Sequence, residues 1–230
     1  MRPRILNSRR PGPGRSHDRK AFTLLETMMA LVIIGVGVLA FVDAQAAFQA
    51  SNNWSSRAAT GMLLANEIRE MTRRLPRHDP VTGLNVTVVN GASVVTGWGS
   101  EDGEVTIDDI DDLDDLDGLV FGVDGDFPGP IDAFGDAVAD VDLQGDVRLD
   151  ENDELITLRG WTQSVTVEKV DPYNFTTVRE ASYSQAAGAQ LPTISADRFP
   201  VRVTVAVFYL DPSTQESTEV SRLTWVIPAE

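Results

Sequence analysis

The sequence predicts an α+β fold in which one long N-terminal helix, membrane-spanning in its first half, packs on an antiparallel β-sheet head. Three observations lead there. Residues 22–42 form an apolar run interrupted by one carboxylate, Glu26, and about 20 apolar residues suffice for a helix to cross a bilayer. Helical patterning continues to Leu75 and meets Pro76, a natural stop. From Gly83 onward the hydrophobic period shortens to the alternation of strands.

Residues 1–21 form a basic leader. Arg2, Arg4, Arg9, Arg10, Arg15, Arg19 and Lys20 face Asp18 alone, a formal +6, which taken from the whole-chain −16 leaves −22 for residues 22–230. By the positive-inside rule the leader stays in the cytoplasm and the chain beyond Val42 lies outside. The acidic body argues against nucleic-acid binding, which needs Lys and Arg to neutralise phosphates, and against a polybasic membrane-surface patch. With no cysteine, the head holds together without disulfides.

The helix divides into an apolar segment, 22–42, and a continuation, 43–75. In the continuation Phe48, Ala58, Met62, Ala65, Ile68 and Leu75 fall on one broad face, with Arg57, Glu67, Arg69, Glu70, Arg73 and Arg74 largely elsewhere. Cationic Arg73 and Arg74 suit a helix C-terminus. Ser51-Asn52-Asn53 is poor helix sequence, placed to bend or loosen the rod. A continuous helix over residues 22–75 would span roughly 80 Å.

Residues 76–230 suffice for one moderate β-rich domain. Strands are expected at 84–89 and 93–96, joined by the hairpin dipeptide Asn90-Gly91. Others are expected at 155–159, 162–170, 175–181, 201–210 and 220–227. Residues 201–207 alternate cleanly, so one face is buried and the other wet. Asp211-Pro212-Ser213-Thr214 turns the chain into the last strand. No internal repeat stands out.

An acidic insert, 101–154, separates these strands. In its densest part Ile107, Ile110, Leu113 and Leu116 recur so as to line one side of a short helix or turn. Further on, Asp140, Asp142, Gln144, Gly145, Asp146, Val147 and Glu151 fit a twelve-residue calcium loop with Gly sixth and Glu twelfth. Gln144 replaces the usual acid or amide, Arg148 adds a positive charge, and Asp150 to Glu154 offer a second register. A solvated acidic loop is the preferred reading. Calcium, on Asp140, Asp142, Gln144, Asp146 and Glu151, is the alternative and the only cofactor suggested.

Nothing points to catalysis. The histidines are His17, in the leader, and His78, read as a helix-end residue. No thiol, no Gly-x-Ser-x-Gly elbow and no Gly-x-x-x-x-Gly-Lys loop is present, and no spacing singles out a carboxylate pair. Trp54, Trp98, Trp161 and Trp225 read as core or interface anchors. The expected role is non-enzymatic.

Ala21-Phe22-Thr23-Leu24-Leu25-Glu26, with the apolar run and Gly35 behind it, resembles the type III signal of prepilins, the subunits of type IV pili and type II secretion pseudopili. The resemblance implies a pilin-like fold, cleavage by a prepilin peptidase between Ala21 and Phe22, and methylation of the new Phe22 amine. It also implies partners: other pilins or pseudopilins, an assembly platform and its ATPase. The implied location is the bacterial inner membrane, single-pass with the head in the periplasm, and then a fibre. Ala21 stands for the commoner Gly, and Asp43 stands where many major pilins kink at proline. The latter leans toward a minor pilin or pseudopilin. Asp114-Asp115-Leu116-Asp117-Gly118, with Gly160-Trp161 and a strand ending in Asp171-Pro172, is similar in wording to some pilin-like heads.

Physically, when subunits stack laterally, Glu26 of one can pair with the Phe22 ammonium of a neighbour. Two costly charges in a low-dielectric setting are relieved together, which makes Glu26 an assembly residue. Three readings compete. One is a signal anchor with an incidental glutamate. Another is a secretory signal cut after Ala44-Gln45-Ala46, against which stand Glu26 and a run longer than the usual 7–15 residues. The third is a membrane-anchored or secreted module whose acidic head binds calcium or a ligand.

Overall fold

The computed structural model describes residues 23–101, 103–188 and 191–229. It is α+β: a long N-terminal helix, α1 (Leu24–Thr72), packed on an antiparallel sheet. The chain divides into two compact units, Met1–Ser51 and Asn52–Glu230.

The first unit is described from Thr23 onward. The Thr23 hydroxyl accepts the Glu26 N–H at 3.4 Å, so Thr23 opens α1 and Glu26 occupies its first turn. A carboxylate there is favoured by the positive end of the helix dipole. Every side chain of α1 from Leu24 to Val42 is exposed, and the helix is long and apolar enough to cross a membrane. The helical assignment passes without a break through Ser51-Asn52-Asn53.

In the second unit α1 buries Gly61, Leu64, Ala65, Ile68, Met71 and Thr72, the three-and-four spacing of a core-facing stripe. That stripe is rotated from the expected face. Ala65 and Ile68 are inside, but Met62 and Phe48 are exposed while Leu64 and Met71 replace them. The cause is Gly61, which lets the helix lie close to the sheet. α1 stops at Thr72 rather than Leu75. Arg73 and Arg74 donate to the carbonyls of Glu70 and Met71, a tightened last turn ahead of Pro76.

β1 (Asn85–Val89) and β2 (Ala92–Thr96) form a separate hairpin. Asn90 and Gly91 have φ of 52° and 83°, the backbone that a tight two-residue turn needs. The main sheet contains β3 (Val120–Gly122), β4 (Trp161–Asp171), β6 (Val201–Leu210) and β7 (Ser217–Ile227) in the order β3-β4-β6-β7. In it β5 (Asn174–Val178) pairs with the far end of β4. Val201, Val203, Val205 and Val207 face inward with Val165 and Val167 against Leu64, Ala65 and Ile68. The wet face carries cross-strand polar pairs: Glu168 with Arg202 at 2.6 Å, and the hydroxyls of Thr204 and Thr224 at 3.1 Å.

Residues 155–159 make only isolated bridges rather than the expected strand. They close a set of turns that constitute an internal repeat. Asp132, Asp142 and Asp150 each accept, through Oδ1, the N–H groups two and four residues ahead. Each turn is closed by a bridge: Ile131 to Ala137, Val141 to Val147, Leu149 to Leu155. The first turn docks on α1 and the turn that follows it: Glu67 accepts the Ala133 N–H at 3.0 Å, and Arg74, just past the helix end, donates to the Ala133 carbonyl.

Candidate functional site

Two places are candidates for functional chemistry, one in each unit. In the first, Ala21 and Phe22 lie outside the described residues. Glu26 is exposed, in the first turn of α1, and is the sole ionisable residue of the apolar run. Side chains exposed all round this segment leave an apolar cylinder that only lipid or other apolar helices can cover.

In the second unit, the residues of the calcium-loop reading sit within the repeated turns, except Asp140, which precedes the second turn. Asp140 pairs with Arg159 at 3.1 Å and Arg148 at 3.8 Å. The Asp142 carboxylate caps its own turn, and backbone N–H donors led by Asp146 hold its pKa below the ordinary value. Gln144, Asp146 and Glu151 are exposed. None of the five belongs to the groups of carboxylates that approach one another within 4.8 Å among the described residues.

Those groups are Glu101, Asp112 and Asp115, and, sharing Asp115, Glu104, Asp111 and Asp115. They lie in the densest part of the insert. Leu113 and Leu116 enter the core completely, and the short turns Ile107–Asp109 and Asp114–Leu116 form around them. Neighbouring aspartates are carried in with the leucines: Asp112, Asp114 and Asp115 are all buried. The segment is sewn to the fold by Leu113 N–H to the Pro76 carbonyl at 2.9 Å, and by Asp117 accepting the Val167 N–H at 2.9 Å.

Asp114 has partners: His78 Nδ1 at 2.9 Å and the Gly99 N–H at 3.2 Å. The others are poorly compensated. Burial first, then the charges of Asp114 and Asp115, push Asp112 up to about 9. Burial with Glu104 and Asp115 pushes Glu101 up to about 7, and burial raises Asp115 to about 6. An arrangement that disfavours its own negative charge favours whatever neutralises it, proton or cation. The sequence signal was the three-residue Asp-Asp-Leu spacing. It revealed one apolar side but not that the acids between would also be enclosed.

A family model described as the prokaryotic N-terminal methylation motif matches residues 16–42. Curated proteins and solved structures give no match. The motif, the first-turn Glu26 and the uncovered apolar helix agree with one another, and the chain carries a type IV prepilin-like N-terminal signal, the mark of a pilin-type substrate of prepilin peptidase.

Proposed function

We propose that this chain is a minor pilin or pseudopilin, a non-enzymatic structural subunit of a type IV pilus or a type II secretion pseudopilus. Prepilin peptidase cuts between Ala21 and Phe22 and methylates the Phe22 amine. The subunit waits in the inner membrane with its head in the periplasm, then joins a fibre driven by an ATPase and a membrane platform. Asp43 in place of a kinking proline supports the minor or pseudopilin assignment over a major pilin.

The observation that carries this reading is the methylation motif over an apolar helix that has Glu26 as its one charge. Neighbouring subunits cover the exposed apolar surface, and Glu26 meets the Phe22 ammonium of the next subunit. The first-turn position gives Glu26 a second, purely local function in starting α1, and substitution separates the two. Glutamine keeps a side chain able to serve that turn but loses the charge. Glu26→Gln and Glu26→Val are both expected to be inserted and cleaved normally yet left out of fibres. Normal incorporation of Glu26→Gln would remove the charge-pairing role. The rival reading, an anchored ligand-binding module, predicts no fibre incorporation for the unaltered chain either.

A further inference from the structure

The buried carboxylates of the insert are held in a way that leaves part of each one unused. Asp112 Oδ1 accepts the N–H groups of Asp114 at 2.8 Å and Asp115 at 3.1 Å. Asp115 Oδ2 accepts those of Asp111 and Asp112, both at 3.2 Å. These reciprocal bonds fix the orientation of both carboxylates. Their other oxygens, Asp112 Oδ2 and Asp115 Oδ1, are sealed from solvent and meet no donor among the described residues, and the same holds for both carboxylate oxygens of Glu101. Asp112 is 1% exposed and Asp115 2%.

Four orphaned carboxylate oxygens in one enclosed place are not a solvated acidic face. Buried anions are ordinarily paired or bound to a metal. Among the described residues no ion pair reaches Glu101, Asp112 or Asp115. One cation small enough to touch all three would neutralise them together. The donor set contains oxygen alone, which selects a hard cation. Calcium accepts six to eight oxygens in irregular arrangements, whereas magnesium requires a near-ideal octahedron and keeps its waters.

We propose that Glu101, Asp112 and Asp115 hold one calcium ion, with Glu104 and Asp111, which share Asp115 in the second close group, on its more exposed side. The ion ties the stretch around Glu101 to the buried turn Asp114–Leu116. The neighbouring links from Gly99 to Asp114 and from Pro76 to Leu113 already draw the same strands of chain together. Calcium therefore completes the seam at which the insert is fastened to the end of α1. The site is distinct from the repeated turns at Asp132, Asp142 and Asp150, whose inward carboxylate oxygens are already occupied by backbone N–H groups.

The test uses the full-length protein in detergent, stripped with a chelator and then given calcium chloride. Equilibrium dialysis below the melting temperature is expected to count a calcium ion on the wild type and none on Asp112→Asn/Asp115→Asn. The milder Glu101→Gln should weaken binding at least about tenfold, since it removes one charged ligand. Calcium at about 100 times its Kd should raise the wild-type Tm by roughly 5–10 °C, and Asp142→Asn should leave that shift intact. Three results would overturn the assignment: no ion on the wild type at millimolar calcium, an ion retained by the double variant, or a shift abolished by Asp142→Asn alone.

Discussion

Gln163 on β4 and Leu64 on α1 are joined by a hydrogen bond inside the core, from Gln163 Nε2 to the Leu64 carbonyl at 2.9 Å. The same amide also spans the loop beside it, donating to the Ile131 carbonyl at 3.0 Å and accepting the Ile131 N–H at 2.7 Å. One fully buried side chain thus pins helix, sheet and the first repeated turn together. Replacing it with leucine fills the space but strands the Ile131 N–H and carbonyl without partners. Each such group costs about 1–3 kcal/mol, so Gln163→Leu should lower the stability of the second unit by roughly 2–4 kcal/mol in a denaturant titration. An unchanged midpoint would show that the amide is not the tie described.

Gly61 sets how close α1 comes to β7. A Cβ at this position would lie 2.8 Å from Val220 Cγ2 and 3.1 Å from Ser221 Cβ. Alanine gains about 1 kcal/mol of helix propensity, but the Val220 side chain must turn aside and Ser221 Cβ, fixed to its backbone, must give by a few tenths of an ångström. Gly61→Ala is therefore expected within about 1 kcal/mol of the wild type. Gly61→Leu must push the helix off the sheet, at about 1–3 kcal/mol. Thermal melts of the two variants check this, and an unchanged Gly61→Leu midpoint would show that Gly61 does not set the distance between helix and sheet.

Lys169 supplies a pH dependence. It is buried, with its ammonium donating to the carbonyls of Ala181 and Tyr183 and lying 5.4 Å from the Phe199 ring centroid. Burial lowers its pKa from 10.5 to about 8, and the charges of Asp197 and Asp114 only partly oppose that. Between those two values the unfolded chain holds a proton that the folded chain has released, so stability must rise with pH across the window. Below about pH 8 the penalty for burying the charge is fully present. Measured against Lys169→Met, the wild type should gain roughly 1–3 kcal/mol from pH 8 to 10.5. A difference that stays flat or shrinks would contradict the burial argument.

Much of this architecture was legible in the sequence because local chemistry decided it. The apolar run ending in Asp43 gave the membrane-compatible segment. Asn90-Gly91 gave the hairpin, since both residues adopt positive φ readily. The alternation from Val201 to Val207 gave the inner and outer faces of β6. Where partners distant in sequence decide the outcome, the pattern misled. The core-facing stripe of α1 is set by Gly61 against Val220, a contact nearly 160 residues apart in number, and periodicity alone placed Met62 inside. The repeated turns are faint in the sequence because Asp132, Asp142 and Asp150 are unevenly spaced, and the Gly135-Asp136 and Gly145-Asp146 of the first two become Asp153-Glu154 in the third.

The candidate sites divide in the same way. Ala21, Phe22 and Glu26 form a contiguous motif, readable residue by residue. In the sequence Asp112 and Asp115 read as solvated acids, whereas the fold encloses them. Their burial follows from Leu113 and Leu116, which are wholly inside the core, and from backbone N–H donors that no composition count reveals. His78 read as a residue at the helix end; α1 stops at Thr72, so it lies in the loop beyond, and its bond to Asp114 comes from a fold-level encounter.

The central claim is that the N-terminal run is a processing signal and an assembly surface at once. Its most direct test is the intact mass and N-terminal sequence of the mature protein purified from membranes of cells with an active prepilin peptidase. The expected product begins at Phe22 and carries one methyl group on its amine. A chain that begins at Ala47, or one that keeps Met1, would contradict it.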